Sequence, residues 1–573
     1  PPEGAVNEIN AIPLDDAASY KLYSAARTVA VFQVESSGMM DALRRMKPDC
    51  IEDIVALVAL YRPGPMENIP KFCEVKNGLR ERESIHPSID HILDETQGII
   101  VYQEQVMQIA QEMAGYSLGG ADLLRRAMGK KIQEAMDAER PKFLDGAAKN
   151  GVDKDKAMEV WNLLDKFANY GFNKSHAAAY AVVSYQTAWL KANYPVEFMA
   201  GVMNCDIHLT DKLAVYAEEV RRGLEIEIIP PCVNRSLAKF SVTDGKLVYG
   251  LGALKNVGIE AMNLVVEGRG DKPFATLFDL ARRVDLKRVG KRPLEMMARA
   301  GAFDQLDRNR RRVFQSLDPL VAYSAAIHEQ RASSQVSLFG EAGDDLPEPR
   351  LSPVDDWLPI ARLGEEQQGV GFYLSGHPLD DYMAPLRRKD VKTLAEVEQE
   401  VAVRQAMHVR LAGSVSGRQE RKSARGNRFA FVQLSDPSGL YEVTMFSDTL
   451  EAARDFLEPG MNVVLAVDAT MEADQLKLLA RSATPVDDMV ADAGATGLKV
   501  HIEQGDAIAA VHSLLERVKA DAKRGGKGPV ALCLTAADLP GEVEIDLPGE
   551  WPVSPEIRSA LKSLPGVDAV EEV

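Results

Sequence analysis

Two short stretches carry side chains whose types and spacing suit work on phosphate. LLRRAMGKK, residues 123–131, crowds Arg125, Arg126, Lys130 and Lys131 into one segment. On a helix Arg126 and Lys130 lie four apart and share a face, with Arg125 and Lys131 flanking them. A triphosphate concentrates charge on a few oxygens, so it calls for several converging cations. Arg offers a planar fork for bidentate contact, and Lys a mobile point charge. A solvated helix face has the same composition, and the run alone leaves both readings open. Gly129 costs about 1 kcal/mol inside a helix relative to Ala, so it marks an end or a close approach. The second stretch is GFNKSHAAAYA, residues 171–181. Gly171 permits a turn, Ser175 can serve as an N-cap, and Asn173, Lys174 and His176 sit at the helix start. Free N–H groups and the positive end of the dipole favour an anion there. Tyr180, four residues after His176, shares its face. A capping or packing histidine is the alternative.

These residues need helices to hold them, and the first two hundred or so positions read mainly as helical. ESSGMMDALRRMK has Ser caps before apolar positions at helical spacing. IEDIVALVALY is apolar enough to be buried and stops at RPGP. EQVMQIAQEMAG runs from Gln103 to a stop at Gly115, and ADLLRRAMG starts after the Gly119-Gly120 break. VDKDKAMEVWNLLDKFANYG and SHAAAYAVVSYQTAWLKANYP repeat apolar residues at three- and four-residue steps. LVYGLGALKNVGIEAMNLVVEG then sets a Gly-rich turn before a helix, and KRPLEMMARAGAFDQL supplies a second short one. Residues 331–362, rich in Ser, Pro, Gly and Asp, read as a linker. From about 405 to 485 HVRLAGSVSG, RFAFVQLSD, LYEVTMFSD, NVVLAVDAT and LKLLARSA predict a five-stranded barrel. LKVHIEQ, AIAAVHSLLERVKADA and VALCLTAAD predict a final α+β domain.

At 573 residues the chain exceeds one core, and three or four domains are expected. The 46% apolar and 27% charged composition is that of a globular protein. No apolar run reaches the roughly 20 residues that span a bilayer, and PPEGAVNEIN lacks the pattern of a signal peptide. Five scattered cysteines form neither a zinc pattern nor a disulfide framework, so a reducing cytoplasm is the default. The lack of an initiator Met points to a piece of a longer chain. The net charge of -18 does not exclude a phosphate site, because residues 331–400 and 536–573 each carry -7.

VFQVESSGM, LVALYRPGPM, GIIVYQEQVMQIAQEMAGYSLGGADLLRRAMGKK and YGFNKSHAAAYAVVSYQTAWLKANYPVEFMAGVMN together resemble the bacterial DNA polymerase III alpha subunits, the C-family replicative polymerases. The likeness continues more weakly to the C-terminus and is closer to the replicative form than to the error-prone paralogue. It implies a multidomain chain: mainly α-helical fingers and a helix-hairpin-helix module, then a β-barrel OB-fold and a small α+β C-terminal domain. The implied boundaries are the end of the palm at 1–30, fingers at 31–230, a duplex-binding helix-hairpin-helix module at 231–330 and a linker with a clamp-binding peptide at 331–400. An OB-fold follows at 401–487 and a domain binding the tau subunit of the clamp loader at 488–573.

The resemblance implies a DNA-directed DNA polymerase that extends a primer 3′-OH with deoxynucleoside triphosphates on a DNA template. Arg125, Arg126, Lys130, Lys131, Asn173, Lys174, Ser175 and His176 fall where the family binds the nucleotide. His176 falls near the sugar, where it could disfavour a 2′-OH. Two Mg²⁺ ions would be held mainly by palm aspartates and the triphosphate. The family's paired carboxylates are absent, and Asp15-Asp16 reads as a helix cap. No catalytic or metal-ligating residue is therefore expected in this stretch, and the piece alone is expected to be inactive. The helix-hairpin-helix reading rests on Gly250, Gly252, Lys255 and Gly258, whose backbone would meet duplex phosphates. QVSLF would dock on the beta sliding clamp through Gln335, Leu338 and Phe339. In the OB-like segment Arg418, Arg421, Lys422, Arg425 and Arg428 are expected to follow DNA, while one or both of Phe429 and Phe431 read as core rather than as stacking on bases. Partners implied are primer-template DNA, the clamp, tau and other holoenzyme subunits, with no membrane. The other reading is a non-catalytic nucleic-acid and clamp adaptor.

Overall fold

ESSGMMDALRRMK folds as its Ser cap predicts: Ser36 Oγ accepts the Met39 N–H at 3.3 Å, and the helix runs Ser37–Met46. The computed structural model describes residues 8–129, 133–168, 171–332, 346–422, 426, 428–472, 475–491, 497–503, 507–521, 527–535 and 543–573. Their contacts divide the chain into two compact units, Pro1–Met199 and Ala200–Val573.

The first unit is helical: α1 (Ala17–Ser24), α2 (Ser37–Met46), α3 (Ile51–Leu60), α4 (Ile69–Lys76), α5 (Gln103–Ala114), α6 (Leu118–Gly129), α7 (Gln133–Lys149), α8 (Lys154–Ala168) and α9 (Lys174–Asn193). It has two cores. In one, α3 buries Ile54, Val55, Leu57 and Leu60. Against it lies the alanine-rich face of α9, with Ala177, Ala181 and Ala188 fully buried. Each fully buried Leu or Ile stabilises such a core by about 1.5–3 kcal/mol over exposure. The other core gathers Ile109, Met113, Leu124, Phe143, Trp161 and Leu164 from α5 to α8. One expected boundary moves. α6 begins at Leu118, so Gly119 and Gly120 lie inside its first turn and do not break it. Ser117 Oγ caps that turn by accepting the Gly120 N–H at 3.1 Å.

The second unit begins with more helices and a three-stranded sheet, β1 (Ile228–Ile229), β2 (Ser241–Thr243) and β3 (Lys246–Val248), ordered β1-β3-β2. The Gly-rich turn leads into the helix Ile259–Arg269 as predicted. The larger sheet comprises β4 (Val391–Lys392), β5 (Ala406–Lys422), β6 (Arg428–Asp436), β7 (Gly439–Phe446), β8 (Asn462–Glu472) and β9 (Gln475–Pro485). Its pairings run β5-β6-β7-β9-β8 and return from β8 to β5, so five strands close a circuit with β4 beside β5. Alternate residues such as Leu411, Val432, Val443 and Leu465 fill the inside. The last sheet, ordered β12-β11-β10-β13, uses β10 (Leu498–Ile502), β11 (Lys527–Leu534), β12 (Val543–Pro552) and β13 (Val567–Glu572). The helices Ala507–Asp521 and Pro555–Lys562 contribute Val511, Leu515, Ile557 and Leu561 to its core.

Candidate nucleotide and nucleic-acid sites

The two phosphate-suited stretches, some fifty residues apart in the chain, meet at the start of α5. The Gln103 amide reaches both: its Oε1 accepts from Arg125 Nη1 at 3.4 Å, and its Nε2 donates to the Gly171 carbonyl at 3.2 Å. Backbone bonds lock the same junction, since the Gln103 N–H donates to Phe172 O at 2.9 Å and the Phe172 N–H to Val101 O at 3.3 Å. Gly171 is required by proximity: a Cβ there would lie 2.9 Å from the Phe167 ring and 3.1 Å from Gln103 Cγ.

Beneath this junction, Gln105 is 1% exposed and uses its whole amide. Its Oε1 accepts the Val101 and Tyr102 N–H groups at 2.9 and 3.0 Å, and its Nε2 donates to Ile92 O and Thr96 Oγ1 at 3.2 and 2.8 Å. Burial pushes the neighbouring Tyr102 phenol upward. Gln103 and Gln105 were not singled out from sequence. Both lie inside YQEQVMQIAQ, where a polar residue in an apolar helix start was the available signal.

The helix cap of α9 differs from expectation. Asn173, not Ser175, is the N-cap: Asn173 Oδ1 accepts the His176 N–H at 2.9 Å, and its backbone is extended, with ψ 119°. Ser175 is exposed within the first turn. His176 stacks on Tyr180 with ring centroids 4.6 Å apart, as the four-residue spacing requires, and also meets Phe172 at 5.5 Å. Phe32 continues the column, 5.5 Å from Tyr180. The Arg62 guanidinium lies 4.1 Å from the centre of the Phe172 ring.

Every described cation of the cluster holds a carboxylate. Asp122 Oδ1 accepts from Arg125 Nε and Nη2 at 2.9 and 2.8 Å, and Asp122 Oδ2 lies 2.8 Å from Arg126 Nε. The Arg125 hydrogen bonds, then the charges of Arg126 and Arg125, hold the Asp122 carboxyl below its ordinary range. Lys174 Nζ reaches both oxygens of Glu95 at 2.7 Å. Glu104 takes the helix N-terminus itself: Oε2 accepts the Lys174 N–H at 3.0 Å and Oε1 accepts from Asn173 Nδ2 at 2.8 Å. Lys130 and Lys131 lie outside the described residues.

Among the described residues one trio, Asp49, Cys50 and Asp53, has ligand atoms close enough to share a metal ion. It does not fit the Mg²⁺ sites of a polymerase. Lys76 Nζ already sits 2.8 Å from both carboxylates, and burial pushes the Cys50 thiol up to about 12, leaving a protonated sulfur. Asp16 is spent as the cap of α1, accepting the Ser19 N–H at 2.8 Å.

In the second unit, Gly250 and Gly252 are buried against the chain's own backbone. A Cβ on Gly250 would lie 2.6 Å from the Lys239 carbonyl carbon, and the Gly252 N–H donates to Ala238 O at 2.8 Å. Gly258 is exposed as the N-cap of the helix Ile259–Arg269. The Lys255 side chain is half-buried, and its N–H is bonded to Gly369 O at 2.8 Å.

On the closed sheet Phe429 and Phe431 are not core. Their neighbours Ala430 and Val432 take the inward positions, and the two phenyl rings meet edge to face at 5.4 Å on the solvent side. Strand alternation decides this, because the register that buries Leu434 turns both rings outward. Phe446, cross-strand partner of Phe429, is 58% exposed, and the Arg421 guanidinium lies 5.4 Å from the Phe431 ring. Lys422 and Arg428 are exposed beside them. Arg418 is instead tied to Glu458 at 3.1 Å and to Arg454 O at 3.0 Å. Arg425, Gln335, Leu338 and Phe339 lie outside the described residues.

Residues 3–151 match the model of the bacterial DNA polymerase III alpha subunit finger domain, a span that holds Arg125 and Arg126 but ends before Asn173. Residues 225–313 match a helix-hairpin-helix motif. The chain is 45% identical over 99% of its length to a DNA polymerase III subunit alpha of Caulobacter vibrioides, and 39% identical over 98% to that of Vibrio cholerae. The Escherichia coli K12 subunit is 38% identical over 98%. In each case the match covers 49% of the relative, so the chain spans about half the length of these proteins. No described helix is long and apolar enough to cross a membrane.

Proposed function

This chain belongs to the DNA polymerase III alpha subunit family, and from that premise we propose that it supplies the nucleotide-gathering and DNA-holding parts of a replicative DNA polymerase. The reaction is attack of a primer 3′-OH on a deoxynucleoside triphosphate paired to a DNA template, with loss of pyrophosphate. Arg125 and Arg126 contact the triphosphate, with Lys130 and Lys131 beside them, and stabilise charge on its oxygens as the bond breaks. Asn173, Lys174, Ser175 and His176 lie alongside the nucleotide, His176 next to the sugar. The observation that carries this reading is the Gln103 amide, which joins the Arg125 segment to the loop that starts α9.

The two divalent ions of such chemistry are assigned to palm aspartates that this stretch does not contain and to the triphosphate. When bound, they supply the activated 3′-OH and the stabilised leaving group. The helix-hairpin-helix region holds duplex through Gly258 and Lys255, beside the exposed Asn256, while Gly250 and Gly252 let the turn pack closely. Arg421, Lys422 and Arg428, with Arg418 and Arg425, follow the DNA backbone near the closed sheet. Gln335, Leu338 and Phe339 dock on the sliding clamp, and residues 488–573 bind the tau subunit. The setting is cytoplasmic.

Primer extension with Mg²⁺ and four deoxynucleotides tests the reading on this chain and on a chain completed to the length of its relatives. The completed chain extends the primer and this one does not. Arg126→Ala lowers kcat/KM by about 10- to 100-fold, as loss of a charged hydrogen bond predicts. Failure of the completed chain to extend primer, although it binds DNA, overturns the polymerase reading.

A further inference from the structure

The described cations assigned to the triphosphate are already engaged with anions of the protein's own. Two guanidinium groups share Asp122, the Lys174 ammonium sits on Glu95, and the first turn of α9 is closed by Glu104. These carboxylates come from three separate elements: the 3-10 turn Asp90–Thr96, the first turn of α5 and the second turn of α6. Three independent segments therefore each place one acid on a donor group of the cluster. The pairs remain open to solvent, with side chains 63% exposed at Arg126, 40% at Lys174 and about 30% at Asp122 and Glu95. Exposed pairs exchange easily because each is weak.

Resting on the nucleotide-site reading above, we infer that Glu95, Glu104 and Asp122 are placeholders that the incoming triphosphate displaces, and that they set its affinity. The exchange is an ion-pair swap with no covalent step: phosphate oxygens take the donors, and the released carboxylates turn to water. Without nucleotide, the acids keep like-charged Arg125, Arg126 and Lys174 from repelling one another and hold their side chains near the positions they need. With nucleotide, the cost of separating them is subtracted from binding, which favours release after each addition. The alternative role, in which the acids stay in place and orient the cations, predicts the opposite sign on removal.

The test is equilibrium binding of a deoxynucleoside triphosphate to the full chain and to Glu104→Gln, Asp122→Asn and Glu95→Gln. Arg126→Ala and Glu112→Gln serve as controls. Glu112 pairs with His91 away from the cluster, so its variant reports only the general effect of removing one negative charge. Each placeholder variant is expected to bind about two- to fivefold tighter, the range of an exposed ion pair. The Glu104→Gln/Asp122→Asn double variant is expected to bind about tenfold tighter. Glu112→Gln stays at the wild-type value, and Arg126→Ala binds more weakly. Thermal unfolding of each variant, followed in parallel, checks that the fold is retained. Unchanged or weaker binding in all three placeholder variants, with Arg126→Ala also weakened, overturns the inference and leaves the nucleotide site standing. Binding that ignores Arg126→Ala, or is absent from every variant, overturns the site reading and the inference with it.

Discussion

Gln105 offers the sharpest test of how the nucleotide cluster is held, because it touches none of the cluster's charged groups. Gln105→Leu keeps the side-chain volume and removes four hydrogen bonds, those to the Val101 and Tyr102 N–H groups, Ile92 O and Thr96 Oγ1. At about 1 kcal/mol net each the loss is about 4 kcal/mol, and the two orphaned N–H groups lie in a buried segment where such gaps cost the most. Leucine returns about 1–2 kcal/mol by apolar burial. The expected net loss is therefore about 2–3 kcal/mol, concentrated at the 92–102 segment. Hydrogen exchange of the full chain reads it directly: the Val101 and Tyr102 amides lose about 30- to 150-fold in protection, while amides in the closed β5–β9 sheet keep theirs. Triphosphate binding weakens as well, because Gln103, which ties Arg125 to Gly171, sits on the turn that Gln105 pins. A loss of protection below about fivefold would refute the reasoning, by showing that other groups satisfy those donors.

Two further outcomes follow from the second unit. Phe431→Ala should weaken single-stranded DNA binding by about 1–3 kcal/mol if the outward rings stack on bases, read by fluorescence titration at fixed salt; an unchanged affinity removes the rings from the interface. His377 is half-buried, and that partial burial, with the charge of Arg222, holds its imidazole down at about 3. The folded state thus stays neutral where the unfolded chain takes up a proton. Stability from this group is complete above the ordinary histidine value of about 6.5 and falls as pH drops from there toward 3. His377→Gln should flatten urea-midpoint curves over that window, and an unchanged slope would contradict it.

Much of the architecture could be read from local rules. The Ser36 cap, the Pro63–Pro65 stop after α3 and the αL turn at Gly115 all act over a few residues, so spacing and residue type revealed them. The strands of the closed sheet were legible for the same reason, since alternation is a two-residue rule. Errors arose where a partner lay elsewhere. Gly119 and Gly120 read as a break because the Ser117 cap outweighs their flexibility. Phe429 and Phe431 read as core because hydrophobicity does not tell which face a register turns inward. The Asn173 cap was missed in favour of Ser175 because both residue types cap well, and only the backbone at 173 distinguishes them. The cations of the candidate site were visible in sequence, but their counterions were not. Glu95 and Glu104 lie 79 and 70 residues from Lys174 in the chain, and only folding brings them to it. Nothing in the local pattern marks them apart from other surface acids.

The bridge between Tyr102 and Phe172 has a consequence for how this family can diverge. Its bonds run from main chain to main chain, Gln103 N–H to Phe172 O and Phe172 N–H to Val101 O. These bonds do not depend on which side chains stand at 101 and 172, so a substitution there leaves the register of the α5 start against the α9 start in place. A change in length cannot be absorbed in this way. One residue inserted just before Val101 or Phe172 would turn the amide at that point to the opposite side and uncouple Gln103 from Gly171. Insertion or deletion at this junction should thus be rarer among descendants than substitution.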